Sequence, residues 1–495
     1  MSVVLSEHSG PRPASLGLAL VATLLLIAAL SAAHAPLLPE AGFVHYDEFH
    51  TLDRSLAFAH QGDWWTVYSA NEPSFRKPPL QYWMTAGLIE AGLSSELALH
   101  TPSFLFVPLA LASVALLAHA VAPALPWAMP AAVLIHAGSA EFWRYGLSGM
   151  LETGAGLFAT LALAAAILAR RQPMWWYAVA AAIAVGALQK APIGLALVAL
   201  YLGGLRLAQR WHGMPRPALR SDPHFKRALR LAVLGILAWP LLQSLLHGPE
   251  VFQKFFGDQM IERFTPTGPV SNPRSLGDLS ALLVAGEPVL RGLGAIAVVL
   301  LPLRLKDPDA WALPFIVAVF AGLMYLAGGH VTPRYSLVVL PILSVSIAVL
   351  IASLPKQPWV GLVGAAVISA LCLGPVKRAP ELGLVTAAPY AAQIAALSQA
   401  GAALLPGETL VVCTQRGPGR IVPALASAYG AKGRPFVQLR DARAIAAARA
   451  DGALAGPVRG ACAHDVFPSV APLFSQIEQR AVVEGYVIFT AQGPA

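Results

Sequence analysis

His45-Tyr46-Asp47-Glu48, Gly62-Asp63-Trp64-Trp65 and Phe75-Arg76-Lys77-Pro78-Pro79-Leu80-Gln81-Tyr82-Trp83 form a polar, aromatic block just after the first hydrophobic segment. Residues 36 to 79 hold Glu40, Asp47, Glu48, Asp53, Asp63 and Glu72, whereas between Leu97 and His247 only Glu141, Glu152 and Asp222 are acidic. The surrounding chain is 56% hydrophobic and 12% charged over 495 residues, with a mean hydropathy of +0.62. A soluble domain carries roughly 25% charged residues, so the composition describes a polytopic membrane protein. Charge concentrated in one loop of such a chain marks a candidate site.

Working outward from the block, eleven stretches have the length and apolarity of membrane helices: 15–35, 98–121, 125–143, 149–170, 175–189, 191–209, 229–247, 281–303, 310–328, 335–354 and 358–375. A bilayer core needs about 20 apolar residues per span. The run Ser15 to Ala33 is long enough to be an uncleaved anchor rather than a signal peptide. Leu80 to Leu93 is helical in pattern but too short to cross, and reads as an interfacial or re-entrant helix. With that helix uncrossed and the N-terminus in the cytoplasm, Arg170-Arg171, the run Arg206 to Arg230, Arg304 with Lys306, and Lys356 all face the cytoplasm, as the positive-inside rule requires. The net charge of +8 is thereby assigned to loops on one membrane face and does not point to nucleic acid.

The first loop, 36–97, then lies outside. A membrane domain over 1–375 is followed by residues 376–495, whose composition changes. Thr409–Cys413, Pro435–Leu439, Val458–Cys462 and Val482–Thr490 read as short strands, with Ala-rich helical stretches such as Arg443–Arg449 and Ala471–Arg480 between them. The expected fold class is a polytopic α-helical membrane protein with a small C-terminal α/β domain on the outer face. A disulfide between Cys413 and Cys462 and two buried free thiols are both open, and no zinc spacing is present.

Asp47-Glu48 opens a helix whose apolar stripe is Phe49, Leu52, Leu56 and Ala59. Asp47 is either its N-cap or a carboxylate at the membrane boundary that accepts a proton from a hydroxyl. Glu48 is its neighbour or a metal ligand. In Arg76-Lys77-Pro78-Pro79 the two prolines fix an extended backbone and hold two cations at the interface, where they suit a phosphate. The plainer alternative is snorkelling to headgroups. Arg144-Tyr145 with Glu152, Lys190, Glu262-Arg263-Phe264, and His330 with Pro333-Arg334-Tyr335 fall at span ends on the same outer face. Each alone is an ordinary interfacial anchor, and their shared face is what sets them apart. His136, on an apolar helix, reads as a core histidine.

Asp-Glu after the first span, Gly-Asp-Trp, Lys-Pro-Pro-Leu-x-Tyr-Trp, Arg-Tyr-Gly-x-x-x-Met-Leu-Glu and Gln-Lys-Ala-Pro-x-Gly-Leu occur here in an order that is distinctive as a set. Over roughly residues 40 to 345 the chain resembles the bacterial polyprenyl-phosphate-dependent membrane glycosyltransferases of the GT-C fold. These include the aminoarabinose transferases that modify lipid A and the dolichyl-phosphate-mannose protein mannosyltransferase-like enzymes. The resemblance implies an outward-facing, inner-membrane transferase that takes a sugar from a polyprenyl-phosphate carrier, with inversion, and passes it to an envelope acceptor. By position Asp47 looks like the base or acceptor-site residue. Lys77 looks like the ligand of the carrier phosphate, supported by Arg263, Arg334 and Tyr335. Glu152 stands where the family usually has Asp. Arg76, Lys190, His45, Tyr82, Arg144, Tyr145 and His330 complete the candidate site. Arg76 occupies a position where the family commonly has Glu, and Ser271-Asn272-Pro273-Arg274-Ser275-Leu276 lacks the family's His. Those two are associated with a bound metal in the aminoarabinose transferases, so a divalent metal is left open with its usual ligands altered, and no other cofactor is implied. A flippase for an anionic lipid and a non-catalytic lipid-binding relative are the alternative functions.

Overall fold

The computed structural model describes residues 13–43, 45–211, 219, 221–261, 287–305, 307–326, 333–354, 358–373, 390–413, 421–439, 444, 447–448 and 450–494. Each of the eleven expected spans coincides with an apolar helix. Six are long enough to cross a membrane by length and composition: α1 (Pro13–His34), α4 (Ser95–Val121), α7 (Glu152–Ala169), α9 (Ile193–Trp211), α10 (Pro223–His247) and Pro288–Leu305. Five are shorter: α5 (Ala128–Ala137), α8 (Trp175–Gln189), and the helices within Pro308–Leu326, Leu340–Ser353 and Pro358–Leu373.

Two expected spans are broken where the sequence supplies a cap or a proline. The 125–143 stretch ends at Ala137, and Ser139 caps a separate short helix, α6 (Ala140–Gly146), by accepting from the Phe142 N–H. The 335–354 stretch begins as a 3₁₀ turn, Pro333–Val338, before the helix starting at Leu340. Asp222 caps α10 and carries it six residues into the basic run, ahead of the expected start at 229.

The polar block folds as one unit. Helix α2 (Asp47–Gln61) has both acids in its first turn, where the helix dipole favours them, and ends at Gly62 in the left-handed conformation that glycine adopts at no cost. A hairpin, β1 (Tyr68–Ser69) and β2 (Glu72–Pro73), follows. Then comes α3 (Leu80–Glu90), whose 11 residues rise only about 16 Å, too little to cross. Gln81 seats α3 inside the bundle: its amide donates to Ser103 Oγ (3.1 Å) and the Met150 carbonyl (3.2 Å), while its oxygen accepts from Gln189 Nε2 (2.6 Å).

The C-terminal region is a five-stranded sheet in the order β4-β3-β5-β7-β6, with strands Thr409–Cys413 (β3), Phe436–Gln438 (β4), Val458–Ala463 (β5), Phe474–Val483 (β6) and Tyr486–Pro494 (β7). β3 pairs in parallel with β4 and β5, as the alternation of strands and helices requires, and β7 runs antiparallel to β5 and β6. The expected helix Ala471–Arg480 is instead a one-turn Ala471–Leu473 followed by edge strand β6. The exposed Glu478, Gln479 and Arg480 concealed its alternation. Most of Arg443–Arg449 and the 375/376 boundary lie outside the described residues. Cys413 and Cys462 face one another in register on β3 and β5 and are disulfide-bonded.

This domain sits on α2. Phe49 belongs to its core, against Tyr390 (5.4 Å between ring centroids), and Leu52 and Leu56 pack with Leu99 and Ala428.

Candidate functional site

A cavity of about 710 Å³ opens at one end of the helix bundle, within the size range of ligand sites. Its residues come from distant segments. α2 contributes Asp47, His50, Thr51 and Arg54. β2 and its connection to α3 contribute Glu72 to Lys77, and α3 contributes Tyr82. Glu152 begins α7, Lys190 ends α8, and Arg334-Tyr335 lie in the turn before Leu340. Lys254 and Pro423 complete the wall, the latter from the C-terminal domain. The direction of each helix carries Arg170, Arg210 and Arg304 to the opposite end.

An alternating chain of ion pairs runs through the cavity. Asp47 Oδ2 accepts from Arg334 Nη2 at 2.9 Å, Arg334 Nε lies 3.3 Å from Glu152 Oε1, and Lys190 Nζ donates to the same oxygen at 2.6 Å. Tyr335 is stacked beneath both cations, its ring 5.3 Å from Lys190 Nζ and 5.7 Å from Arg334. Burial alone would raise the Asp47 carboxyl. The His45 ring and the Arg334 guanidinium outweigh it and hold the group well below the usual carboxylate range. Asp47 is the first residue of α2, and the N-cap position falls to Tyr46 instead. The Asp47 carboxylate is turned to the cavity. Six cations and three carboxylates line the space, so its field favours an anion.

Of the candidates, Asp47, Glu152, Arg76, Lys77, Lys190, Arg334, Tyr335 and Tyr82 are brought together here. His45 stands just behind Asp47, its Nδ1 3.2 Å from the Asp47 N–H and 3.4 Å from Arg334 Nη1. Glu48 is not at the cavity. It is fully buried and accepts from the Gly149 N–H (2.7 Å) and the His45 N–H (3.0 Å), with His100 Nε2 3.4 Å away, so its carboxylate braces the loops. Arg144 and Tyr145 pack on one another behind the wall. His136 is a core histidine, 3.2 Å from Ser344 Oγ. Arg263, His330 and residues 271–276 lie outside the described residues.

His50, Thr51 and Arg54 were not among the expected site residues, although 47, 50, 51 and 54 share one helical face opposite the apolar stripe. Arg54 donates to the Tyr82 hydroxyl at 3.0 Å. Lys254 and Pro423 carried no local signal. Among the described residues no group of three or more His, Cys, Asp or Glu side chains is placed to hold a metal ion.

This arrangement, an apolar bundle with a charged cavity at one end and a sheet domain beside it, is the GT-C-like membrane fold. The solved structures that the chain matches include ArnT from Cupriavidus metallidurans bound to undecaprenyl phosphate, with 17% identity, a TM-score of 0.67, and 96% of this chain and 97% of that one covered. The apo state of the same protein matches with 16% identity and a TM-score of 0.67, covering 96% and 98%. No protein-family model matches the chain, and no curated protein matches it in sequence.

Proposed function

We propose that the chain is a membrane glycosyltransferase that moves a sugar from a polyprenyl-phosphate carrier to an envelope acceptor, such as lipid A, another glycolipid, a polysaccharide or a protein. The observation that carries this reading is the convergence of Lys77, Lys190, Arg334 and Tyr335 with Asp47 in one cavity at the end of the apolar bundle. The solved relative with this fold binds undecaprenyl phosphate.

In the reaction the bond between the anomeric carbon and the carrier phosphate breaks, and a bond from the acceptor oxygen forms on the opposite face, inverting the centre. Lys77 and Arg334 stabilise the charge that grows on the departing phosphate, the electrostatic contribution that is usually largest. Asp47 orients the acceptor hydroxyl and takes its proton. Glu152 holds Arg334 and Lys190 in place. Arg76 adds positive charge at the rim. The active face and the sheet domain are on the outer side of the inner membrane, a placement that the Cys413–Cys462 disulfide favours because such bonds persist in oxidising compartments.

The test is transfer of labelled sugar from a polyprenyl-phosphate donor to envelope lipids and glycans by purified wild-type protein and Lys77→Ala. A loss of about 10²–10³ in rate is expected for the variant. Donor binding by the wild type without transfer to any acceptor class would favour a lipid-binding protein instead.

A further inference from the structure

The hairpin that leads into Arg76 and Lys77 is held by a residue outside the cavity. Asp53 is 1% exposed, and its Oδ2 accepts from Ser69 Oγ (2.9 Å) and from the Ala70 N–H (3.0 Å). Ala70 and Asn71 form the turn with φ of 52° and 66°, the left-handed region that side chains with a Cβ adopt reluctantly. β1 and β2 pair at two positions, extended by the Ser74 N–H donating to the Val67 carbonyl (2.7 Å), too short a ladder to stand alone. The turn therefore depends on outside ties. One is Asp53, and the other is Asn71 Nδ2, which donates to the Arg434 carbonyl of the C-terminal domain at 2.8 Å. The Ser427 hydroxyl of that domain also faces the Asp53 carboxylate, and Asp53 Oδ1 is left without a well-aligned hydrogen bond.

We propose that Asp53 is a positioning residue: it locks α2, the β1–β2 turn and the C-terminal domain together, and so sets where Arg76 and Lys77 stand in the cavity. A buried carboxylate is costly, and burial pushes this one up to about 6. Such local expense is expected where geometry serves a site. The segment it controls is short, since Glu72 to Lys77 follows the turn directly and lines the cavity throughout. The C-terminal domain is on this account part of the donor-binding unit. The inference rests on the donor-transfer reading only for what Arg76 and Lys77 bind.

The experiment compares full-length wild type, Asp53→Ala, Asp53→Asn and Asn71→Gly in detergent or nanodiscs. Hydrogen exchange over residues 66–78 and 424–432 reads the lock, undecaprenyl phosphate binding reads the cations, and kcat against donor KM reads their placement. Asp53→Ala is expected to speed exchange in both segments and weaken undecaprenyl phosphate binding at least tenfold, with the helical unfolding midpoint nearly kept. Asp53→Asn, whose amide oxygen still accepts from Ala70, should bind within threefold of wild type. Asn71→Gly keeps the turn's backbone but loses the tie to Arg434, and should weaken binding about threefold even if Asp53→Ala fails to fold. Unchanged exchange in the folded variants overturns the proposal, as does faster exchange with unchanged donor affinity. If the wild type neither binds undecaprenyl phosphate nor transfers sugar, the transferase reading falls, and the exchange arm still decides whether Asp53 holds the turn.

Discussion

Arg334 Nη2 lies 2.9 Å from Asp47 Oδ2, so the proposed base is held by a cation that a donor phosphate would also attract. With Arg334 in place the carboxyl is depressed and stays ionised through the acid range. Arg334→Gln removes that counter-charge and leaves the His45 ring as the remaining group that opposes desolvation. The acid limb of kcat/KM should then move up, toward ordinary carboxylate values near 4, alongside a rate loss of about 10²-fold or more. An acid limb identical to that of the wild type would show that Asp47 is not the titrating base.

Lys190 and Glu152 form a buried pair at 2.6 Å, with side chains 13% and 5% exposed. Lys190→Ala removes one of the two cations bonded to Glu152. Since Arg334 still pairs with it, the loss should stay below the roughly 3 kcal/mol of a fully stranded buried charge. The unfolding temperature in detergent should drop by several degrees. The double variant Lys190→Met with Glu152→Gln should recover most of that loss while staying inactive. Equal destabilisation in the single and double variants would refute the pairing argument.

Asp53 gives a pH signature in stability. Its carboxyl titrates at about 6 in the fold, against roughly 3.9 in an unfolded chain. Between those values the folded protein keeps a proton that the unfolded chain has lost, so stability falls as pH rises through this window and levels off above it. Asp53→Asn, neutral throughout, should unfold at a higher temperature than wild type at pH 7.5, by at most about 3 kcal/mol. That advantage should vanish near pH 4. A difference that does not vary with pH would place the titration elsewhere.

The Cys413–Cys462 bridge closes a loop of 49 residues. Chain-entropy arguments assign such a loop roughly 4 kcal/mol. Replacing both cysteines with serine should lower the unfolding temperature of the sheet domain. Non-reduced protein from membranes should resist a thiol-reactive label at both positions until treated with dithiothreitol. Labelling of both thiols without reductant would contradict the bond and the proposed outer location.

The apolar helices were legible because hydropathy and length are read directly along the chain, and all eleven spans have counterparts. Ser139 and Pro341 broke two of them, since a capping hydroxyl and a proline act over a few residues that a span-length window averages out. The site charges at Asp47, Lys77, Lys190 and Arg334 stood out as polar groups at the ends of apolar runs. Glu48 did not differ from Asp47 in sequence. Only the fold, by bringing Gly149 and His100 to it, makes one a brace and leaves the other in the cavity. Lys254 and Pro423 reach the site by long-range packing and carried no mark. β6 was misread because an edge strand with charged residues lacks the clean alternation of a half-buried one.

Helix α2 presents Asp47 to the cavity and Phe49 to the core of the sheet domain. The two halves of the protein therefore have no clean seam. A chimera that exchanges only the C-terminal domain for that of a relative would leave a hole where Phe49 inserts, or a clash, and would shift the carboxylate two residues away. A working graft has to carry residues 43–60 along with the sheet. A change in the sheet domain is thus felt at the cavity through a single turn of helix.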